Sequence, residues 1–312
     1  MNTYNPVWRQ LEIPNPPPPR IGCLLVADPR RNSIFLFGGK NSLKGHTSDA
    51  WTINEHGSKE LQTGTMPPVR SFASFTWNGR QQRTVLFGGI GTEGLLGDTW
   101  IFDHDKWIDQ FPLTSPSPRA YANMVYDSIN NQVILVGGET HGEILNDQWV
   151  WDGINWQQLF LDNMPIPRVG TCFIYDPFRQ RAILFGGRTE GGLMDDMWLW
   201  DGSVWAEQHP FHRPSARSDF GMAYDETQQK IVLFGGISRG KLVNDTWVWD
   251  GQDWEQLLPT HSPSQEIAYA PRMVYSPTLK GIILYNAFRQ KRVTPDGKAD
   301  FSEHSEFWAL TY

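Results

Sequence analysis

The sequence predicts an all-β protein in which six similar units of four antiparallel strands form a ring, as one domain over residues 1–312. The first observation is that tryptophan recurs at steps of 49 residues, at Trp51, Trp100, Trp149, Trp198 and Trp247. The second is that glycine pairs and arginines keep the same step to within one residue. The pairs begin at Gly38, Gly88, Gly137, Gly186 and Gly235, and the arginines are Arg20, Arg70, Arg119, Arg168 and Arg217. Such a period indicates an array of similar supersecondary units.

The strands of one unit can be followed through residues 168–205. Residues 168–176 form a strand that ends in a turn, and the apolar residues 182–185 form a second strand that two glycines stop. Residues 197–200 form a third strand before an Asp-Gly turn, and a fourth strand begins at residue 204. The glycine pair allows positive φ and the close approach of a neighbouring chain. Because no segment shows helical periodicity, each unit is predicted to consist of four strands.

The number of units follows from the two ends of the ring. The units begin near residues 20, 70, 119, 168, 217 and 268. The last unit supplies only three strands, and residues 7–11 repeat the fourth-strand pattern of residues 155–159. Residues 1–12 are therefore predicted to form the outer strand of the sixth unit and to close the ring. Closure removes the exposed strand edges that would otherwise invite aggregation.

The order of these motifs resembles that of the kelch repeat. Arginine, Tyr-Asp, Gly-Gly, Asp-x-Trp and a second tryptophan recur together, and a period of about 50 residues with four strands is similar to that of kelch propellers. The wording of the motifs looks most like stand-alone bacterial kelch proteins. The resemblance covers the whole chain and implies a six-bladed kelch β-propeller with four antiparallel strands per blade. Rings that this one resembles mostly bind partner proteins.

Composition excludes several classes of partner. A net charge of −7 argues against a nucleic-acid surface, which normally carries a basic stripe. Cys23 and Cys172 fall on opposite sides of the ring and cannot form a disulfide framework, which favours a reducing compartment. No signal core or membrane-length apolar segment is present, so a cytoplasmic protein without a membrane partner is expected.

Metal and catalytic signals are weak. Only His209 and His212 have a ligand-like spacing, and a metal site needs three or four ligands. Plant specifier proteins of the kelch type are known by an iron-binding Glu-x-x-x-Asp-x-x-x-His, whereas here Glu143 and Asp147 are followed by Trp151. The sequence therefore predicts no metal and no cofactor. No Ser-His-Asp, Cys-His or carboxylate-pair arrangement can be placed from spacing.

The arginines at the blade starts are predicted to pair with acids that stand two residues before each third-strand tryptophan. The acids are Asp49, Asp98, Asp147, Asp196, Asp245 and Glu306. Strand direction places the two sets on one face of the ring, where bidentate pairs would hold the loops. Ala268 replaces the arginine in blade 6, which would leave Glu306 without its usual partner.

Positions two and four residues after each blade start vary among blades, whereas those five and seven residues after it are consistently bulky. Because side chains alternate along a strand, the variable set is predicted to line the central channel. Its members are Gly22, Phe72, Tyr121, Gly170, Asp219 and Ala270, then Leu24, Ser74, Asn123, Cys172, Gly221 and Arg272. Asp219 and Arg272 fall in adjacent blades and could pair across the channel wall.

Blade 6 departs most from the repeat. Asn286 and Ala287 replace the glycine pair, and the connection that follows is about a dozen residues longer than in other blades. Residues 288–305 are predicted to form a loop with a cationic segment that includes Arg289 and Arg292. Long loops in compact domains are usually functional or disordered.

Two functions fit this sequence. In the first, the loop face and channel mouth bind a partner protein or peptide, with Phe72 and Tyr121 as apolar anchors. The other candidate ligand-binding residues are Asn123, Arg188, Asp219, Arg239, Arg272, Arg289 and Arg292. In the second, the channel mouth is the site of an isomerase, cyclase or lyase that acts on a small molecule under the blade-6 loop. Asp219 or Glu139 would then transfer protons, and Arg272 or Arg188 would clamp an anion. The lack of a recognisable catalytic set favours binding and leaves the question of enzyme activity open.

Overall fold

A computed structural model describes residues 6–263, 271–293 and 299–312, and shows six four-stranded antiparallel sheets. The first strand along the chain, β1 (Val7–Leu11), belongs to the last blade. Blade 1 contains β2 (Leu24–Asp28), β3 (Ser33–Asn41), β4 (Gly45–Asn54) and β5 (Gly57–Glu60). Blade 2 contains β6 (Ser74–Asn78), β7 (Arg83–Gly91), β8 (Gly94–Asp103) and β9 (Lys106–Gln110). Blade 3 contains β10 (Asn123–Asp127), β11 (Gln132–Thr140), β12 (Glu143–Trp151) and β13 (Trp156–Leu159).

Blades 4 and 5 each carry an additional two-stranded hairpin between their second and third long strands. Blade 4 contains β14 (Cys172–Asp176), β15 (Arg181–Phe185), the hairpin β16 (Arg188–Thr189) and β17 (Gly192–Leu193), β18 (Met197–Trp200) and β19 (Trp205–Gln208). Blade 5 contains β20 (Gly221–Asp225), β21 (Lys230–Phe234), the hairpin β22 (Ile237–Ser238) and β23 (Lys241–Leu242), β24 (Thr246–Trp249) and β25 (Trp254–Leu257). Blade 6 contains β26 (Arg272–Ser276), β27 (Gly281–Val293), β28 (Ala299–Thr311) and β1.

The core lies between neighbouring blades, because each sheet is covered on both faces. The second strands are the most buried, and Ile34 to Phe37 in β3 have no exposed surface. A run of apolar residues is typical of a strand buried on both faces. Gly38, with a φ of 60°, ends this run, and a Cβ there would lie 2.8 Å from the Arg70 carbonyl oxygen of blade 2. The glycine pair therefore lets the next blade approach the strand, as predicted.

The N-terminal strand closes the ring. β1 pairs antiparallel with β28 from Val7 opposite Thr311 to Leu11 opposite Phe307. Trp8 is 1% exposed, and its Nε1 donates to Thr246 Oγ1 of blade 5 at 3.0 Å. The prediction that the first strand completes blade 6 is confirmed.

The arginines at the blade starts make the predicted pairs in five blades. Each guanidinium donates to both carboxylate oxygens of its acid, and Nη1 also donates to the carbonyl of the first glycine of the pair. The pairs are Arg20 with Asp49, Arg70 with Asp98, Arg119 with Asp147, Arg168 with Asp196 and Arg217 with Asp245. In blade 6, residue 268 lies outside the described residues, and Glu306 accepts a hydrogen bond from Trp308 Nε1 at 2.9 Å.

Burial and pairing act in opposite directions on these acids. Burial alone would raise the pKa of Asp49, but the hydrogen bonds and positive charge of Arg20 outweigh it and hold the pKa below its usual range. The pKa values of Asp98, Asp196 and Asp245 are lowered in the same way. Each tryptophan two residues further on donates its Nε1 to the same carboxylate, as Trp51 does to Asp49 at 2.7 Å. The acids therefore hold their loops while ionised.

The predicted loop at residues 288–305 is wrong, because most of it is strand. β27 and β28 remain paired to Val293 opposite Ala299, with no register shift. Blade 1 does shift register between Phe37 and Gly39, where its glycine pair lies. Since Asn286 and Ala287 replace the glycines, the ladder continues and the connection becomes an extended hairpin. Residues 294–298 lie outside the described residues.

Candidate functional site: the central channel and its mouth

A cavity of about 190 Å³ lies where the first strands of the blades meet. Neighbouring first strands contact one another around a closed cycle, so they form the inner wall of the ring. The variable positions line this cavity, as predicted from strand alternation. The lining residues among them are Phe72, Tyr121, Gly170 and Asp219, then Leu24, Ser74, Asn123, Cys172, Gly221 and Arg272. Gly22 lies directly beneath the Phe72 ring, and residue 270 lies outside the described residues.

The mouth of the channel is formed by residues in a left-handed backbone conformation. Gly22 and Gly170 have φ values of 61° and 67°, and Phe72, Tyr121 and Asp219 have φ values of 54°, 58° and 56°. The Phe72 N–H donates to the Gly22 carbonyl at 2.8 Å, and the Tyr121 N–H donates to the Phe72 carbonyl at 2.9 Å. Asp219 makes the same bond to Gly170 at 2.9 Å. The left-handed turn thus lets blades 2, 3 and 5 bond to the blade before them.

Each side chain at the mouth leans towards the preceding blade. The rings of Phe72 and Tyr121 have centroids 4.6 Å apart and planes inclined by 33°. A Cβ at Gly22 would lie 2.7 Å from the Phe72 ring, and one at Gly170 would lie 3.2 Å from Asp219 Oδ1. The two glycines therefore make room for Phe72 and Asp219. The mouth presents an aromatic pair in blades 2 and 3 and a carboxylate in blade 5.

Below the mouth, the residues four positions after the start of blades 2, 3, 4 and 6 link adjacent blades. Each uses a side-chain donor that bonds to the next blade around the ring. The bonds run from Ser74 Oγ to the Ala122 carbonyl (2.8 Å), from Asn123 Nδ2 to Thr171 Oγ1 (2.7 Å), from Cys172 Sγ to the Phe220 carbonyl (3.1 Å) and from Arg272 Nε to the Cys23 carbonyl (2.9 Å). These hydrogen bonds give the variable residues of the channel wall a structural role in addition to any role in binding.

Asp219 and Arg272 do not form the ion pair suggested by their positions in adjacent blades. Asp219 Oδ2 accepts a hydrogen bond from Ser218 Oγ at 2.8 Å, whereas Arg272 donates through Nε to the Cys23 carbonyl. Among the described residues neither charge has an ion-pair partner within the ring. Both charges therefore line the cavity and can be offered to a ligand.

The charged groups of the mouth surround Tyr121. Burial, followed by the negative charges of Glu139 and Asp219, raises the pKa of Tyr121, while Arg272 opposes the rise. Burial raises the pKa of the Cys172 thiol to about 12, with Arg272 again opposing. The tyrosine hydroxyl and the thiol are thus protonated at neutral pH. Two carboxylates and one guanidinium carry the charge of the mouth.

Two of the remaining predicted binding residues, Arg188 and Arg239, lie away from this cavity. Arg188 begins the small hairpin of blade 4, and Arg239, with a φ of 51°, lies in the turn between β22 and β23. Both side chains are exposed and neither lines the cavity. Arg289 and Arg292 lie in β27 opposite Glu303 and Asp300, and the placement predicted for their side chains lies outside what the structure describes. Arg188 and Arg239 are therefore not brought together with Phe72 and Tyr121.

The described residues contain no group of three or more His, Cys, Asp or Glu side chains arranged to hold a metal ion. His212 instead bonds through both its backbone N–H and Nδ1 to Asp253, each at 2.8 Å. Within the same part of the chain, no helix has the length and apolar character needed to cross a membrane.

Two of these features escape sequence reasoning. The left-handed mouth residues could have been noticed only from Gly22 and Gly170, because phenylalanine and tyrosine rarely adopt positive φ. The hydrogen bonds that Ser74, Asn123 and Cys172 make to the next blade also escape, because these three residue types have nothing in common except a side-chain donor. Variation among blades therefore marks the channel without showing how its residues are held.

Comparison with known families agrees with this geometry. The model of the KLHDC2/KLHL20/DRC7 kelch-repeats domain matches residues 1–159 and 129–285. No curated protein sequence matches the chain. Kelch propellers generally act as protein-interaction modules. Because the matches span most of the chain and each repeat folds as a four-stranded blade of a closed ring, the protein belongs to the kelch-repeat family.

Proposed function

We propose that this propeller captures a peptide segment of a partner protein at the mouth of its central channel. The observation that carries the proposal is that Phe72, Tyr121 and Asp219 adopt the left-handed conformation although none of them is glycine. Such a conformation costs phenylalanine or tyrosine about 1–2 kcal/mol, and aspartate less. Blades 1 and 4 make the same turn with glycine, so the fold does not need these side chains. Backbone strain of this kind concentrates at functional sites.

The composition of the mouth suits a peptide. The Phe72–Tyr121 pair offers an apolar face, and aromatic residues are enriched among the residues that dominate binding energy at interfaces. Asp219, Glu139 and Arg272 supply charges of both signs beside it. A partner segment that places one apolar and one charged side chain in the mouth would be recognised by both.

The volume of the cavity favours a partner side chain over a whole small-molecule substrate. Pockets for small ligands and cofactors are usually about 300–1,000 Å³, whereas this cavity measures about 190 Å³. One or two side chains would fill it while the rest of the partner rests on the loop face. Arg188 and Arg239 are exposed on that face and would meet acidic groups of the partner. The catalytic roles considered for Asp219, Glu139 and Arg272 stay predictions.

Site-specific photocrosslinking tests where the partner binds. A benzophenone amino acid would replace Tyr121 at the mouth or, as control, Ile154, which is 73% exposed in the turn between β12 and β13 of the same blade. The two positions lie on opposite faces of the ring because the strands alternate in direction. We expect a defined partner to crosslink to position 121 and not to position 154. Equal labelling at both positions would contradict binding at the mouth.

The variant Tyr121→Gly tests the contribution of the side chain. It removes the ring and relieves the strained backbone, and blades 1 and 4 already carry glycine at this position, so the protein should fold normally. We expect at least a tenfold loss of affinity for the crosslinked partner, measured by titration with the purified proteins. The control Ile154→Ala should bind as the unmodified protein does. Unchanged affinity in Tyr121→Gly would overturn the proposal.

A further inference from the structure

A recurring carboxylate lies on the face of the ring opposite the channel mouth, where the first strand of a blade ends. In blades 1, 3, 4 and 5 one of its oxygens accepts backbone N–H groups of the turn that follows. The residues are Asp28, Asp127, Asp176 and Asp225. These acids are at most 3% exposed. Burial of a carboxylate is costly unless it is paired or hydrogen-bonded.

In three of these blades, the residue three positions further on bonds to the second oxygen. Arg31 Nη1 donates to Asp28 Oδ2 in blade 1, and Arg179 Nη1 donates to Asp176 Oδ2 at 2.8 Å in blade 4. Blade 3 uses an amide, since Asn130 Nδ2 donates to Asp127 Oδ2 at 2.8 Å. The repeat thus shows which groups donate hydrogen bonds to this buried carboxylate. The donor is a guanidinium in two of the three blades and an amide in the third.

Blade 5 lacks this partner. Asp225 is 2% exposed, and its Oδ1 accepts the N–H groups of Thr227 at 2.9 Å and Gln228 at 3.0 Å. Gln228 stands at the position of the arginines, but its side chain makes no hydrogen bond to Asp225. Within the described parts of the chain, Asp225 Oδ2 has no hydrogen-bond donor. One oxygen of this nearly buried carboxylate is therefore free to accept a hydrogen bond from outside the blade.

A cavity of about 490 Å³, which we name the seam cavity, lies beside this carboxylate between blades 5 and 6. Asp225, Thr227, Tyr275 and Tyr312 are among its lining residues. Its position follows from the topology, because the third and fourth strands of blade 6 are β28 and β1 and no turn joins them. Blade 5 does have a turn between its third and fourth strands, and the Asp250 carbonyl in that turn accepts a hydrogen bond from Arg179 Nη2 of blade 4.

A second polar atom in the seam cavity is also incomplete. The hydroxyl of Tyr312 is buried and has no hydrogen-bond partner among the described residues. Thr227 and Tyr275, by contrast, satisfy each other with hydroxyl oxygens 2.6 Å apart. Asp225 Oδ2 thus provides an acceptor for a ligand that carries several N–H donors, and Tyr312 adds an unpartnered hydroxyl among the lining residues.

The charges that act on Asp225 favour a cation. Burial raises the pKa of Asp225, and no positive charge acts to lower it. Burial, and then the charge of Asp225, raises the pKa of Glu226. Arg9 and Lys280 also line the cavity, but both are exposed and neither affects the pKa of Asp225. A cationic ligand would compensate the buried acid.

We propose that the seam cavity binds a guanidinium group, supplied by an arginine side chain that occupies the position Arg179 holds on Asp176 in blade 4. The planar guanidinium presents five donors and can bond to Asp225 Oδ2 as Arg179 does to Asp176 Oδ2. The site lies on the face opposite the channel mouth and does not depend on the peptide binding proposed there.

Ligand-observed nuclear magnetic resonance tests this proposal with N-acetyl-arginine methylamide and its neutral citrulline counterpart. We expect the arginine probe to bind at least tenfold more tightly than citrulline. Asp225→Asn keeps a side-chain oxygen that can accept the N–H groups of Thr227 and Gln228 but removes the negative charge. This variant should bind the arginine probe no more tightly than citrulline. The control Asp176→Asn alters a carboxylate that already has its arginine, and should keep the preference. Free L-arginine as a third probe distinguishes the amino acid from a peptide side chain.

The variant Gln228→Arg provides a second test that does not require a ligand. It recreates the arrangement of blades 1 and 4, so it should fill the site, raise the melting temperature by a few degrees and block the arginine probe. Equal binding of arginine and citrulline would overturn the proposal. A preference for arginine that persists in Asp225→Asn would overturn it as well. So would arginine binding that persists in a Gln228→Arg protein with a raised melting temperature, or a Gln228→Arg protein that melts no higher than the parent.

Discussion

Phe72, Tyr121 and Asp219 hold a backbone conformation that the ring requires and their side chains disfavour. Each uses its N–H to bond to the preceding blade, and Gly22 and Gly170 make the same turn without steric cost. The turn therefore belongs to the fold, whereas the choice of residue does not. A side chain retained there against a cost of about 1–2 kcal/mol is best explained by what it contacts at the mouth.

Gly22→Ala tests the packing at the mouth. The alanine Cβ would lie 2.7 Å from the Phe72 ring at a φ of 61°, so we expect the free energy of unfolding to fall by about 2–3 kcal/mol. Gly240→Ala is the control, because its φ is 71° and nothing lies within 4 Å of the added Cβ. It should lose only about 1 kcal/mol. Equal losses in denaturant unfolding would mean that Phe72 does not rest on Gly22.

At this scale, strand alternation predicts which residues line the channel but not their conformations. Asn123, Asp219 and Arg272 were placed in the channel because side chains alternate along a strand. The suggested ion pair between Asp219 and Arg272 does not form, and the sequence could not show this, because Arg272 Nε donates to the Cys23 carbonyl instead. Long side chains choose among several partners, and the sequence does not rank them.

At the scale of elements, one position of the third strand decides whether the fourth-strand tryptophan of the next blade has a hydrogen-bond acceptor. Thr99, Gln148 and Thr246 supply an oxygen to Trp156, Trp205 and Trp8. Ala50 and Met197 stand at this position in blades 1 and 4, and the facing Trp107 and Trp254 have buried Nε1 groups without a partner among the described residues. The contacts between blades are thus unequally satisfied.

Thr246→Val tests this contact at the closing strand. It removes the acceptor of Trp8 but preserves shape, and an unsatisfied buried donor costs about 1–3 kcal/mol. We expect a loss of that size in the free energy of unfolding. Thr246→Ser, which keeps the hydroxyl and removes a methyl group, should cost less. If the serine variant is the less stable one, packing rather than the hydrogen bond holds Trp8.

The blade-6 hairpin shows what sequence reasoning misses at this scale. A connection longer than those of the other blades suggests a loop. In the other blades, however, the glycine pair, and not the length of the connection, marks where the strand pairing changes. Without that pair, β27 and β28 continue their ladder to Val293 opposite Ala299. The hairpin rests on blade 1, where Asn41 Nδ2 and the Ser42 N–H donate to the Glu303 carboxylate. The repeat period alone does not reveal where a strand ends.

At the scale of the whole molecule, the arginine–aspartate pairs make stability depend on pH. The pKa values of Asp49, Asp98, Asp196 and Asp245 are lower in the folded protein than in the unfolded chain. Their contribution is therefore complete above the unfolded pKa of about 3.9 and is lost as pH falls through the folded values. Asp225, whose pKa is raised, acts in the opposite sense.

We expect the melting temperature to decrease steeply as the pH falls below about 4, where these carboxyls take up protons in the unfolded chain while the paired carboxylates of the folded protein still resist protonation. Differential scanning calorimetry from pH 7 to pH 3 measures this dependence. Asp98→Asn should show a weaker dependence, because it lacks one titrating group. A pH dependence identical to that of the parent would show that the Arg70–Asp98 pair does not contribute to acid sensitivity.

Deletion of residues 1–12 tests closure of the ring. It removes Trp8 and exposes the edge of β28, so the melting temperature should fall by roughly 10 °C or more. A shorter deletion of residues 2–5 leaves β1 intact and serves as control. If the longer deletion melts at the same temperature as the control, β1 does not hold blade 6 in place.

The pairing of β1 with β28 also sets the order of events during folding. The strands within blades 1 to 5 are close in sequence, whereas Val7 and Thr311 can pair only after the intervening blades have arranged themselves into a ring. Forming a loop of about 300 residues rather than 50 costs roughly 1–2 kcal/mol more in chain entropy. Long-range pairing of this kind is slow. The ring should therefore assemble blade by blade as an open arc, with the joining of its two ends as the last and slowest step.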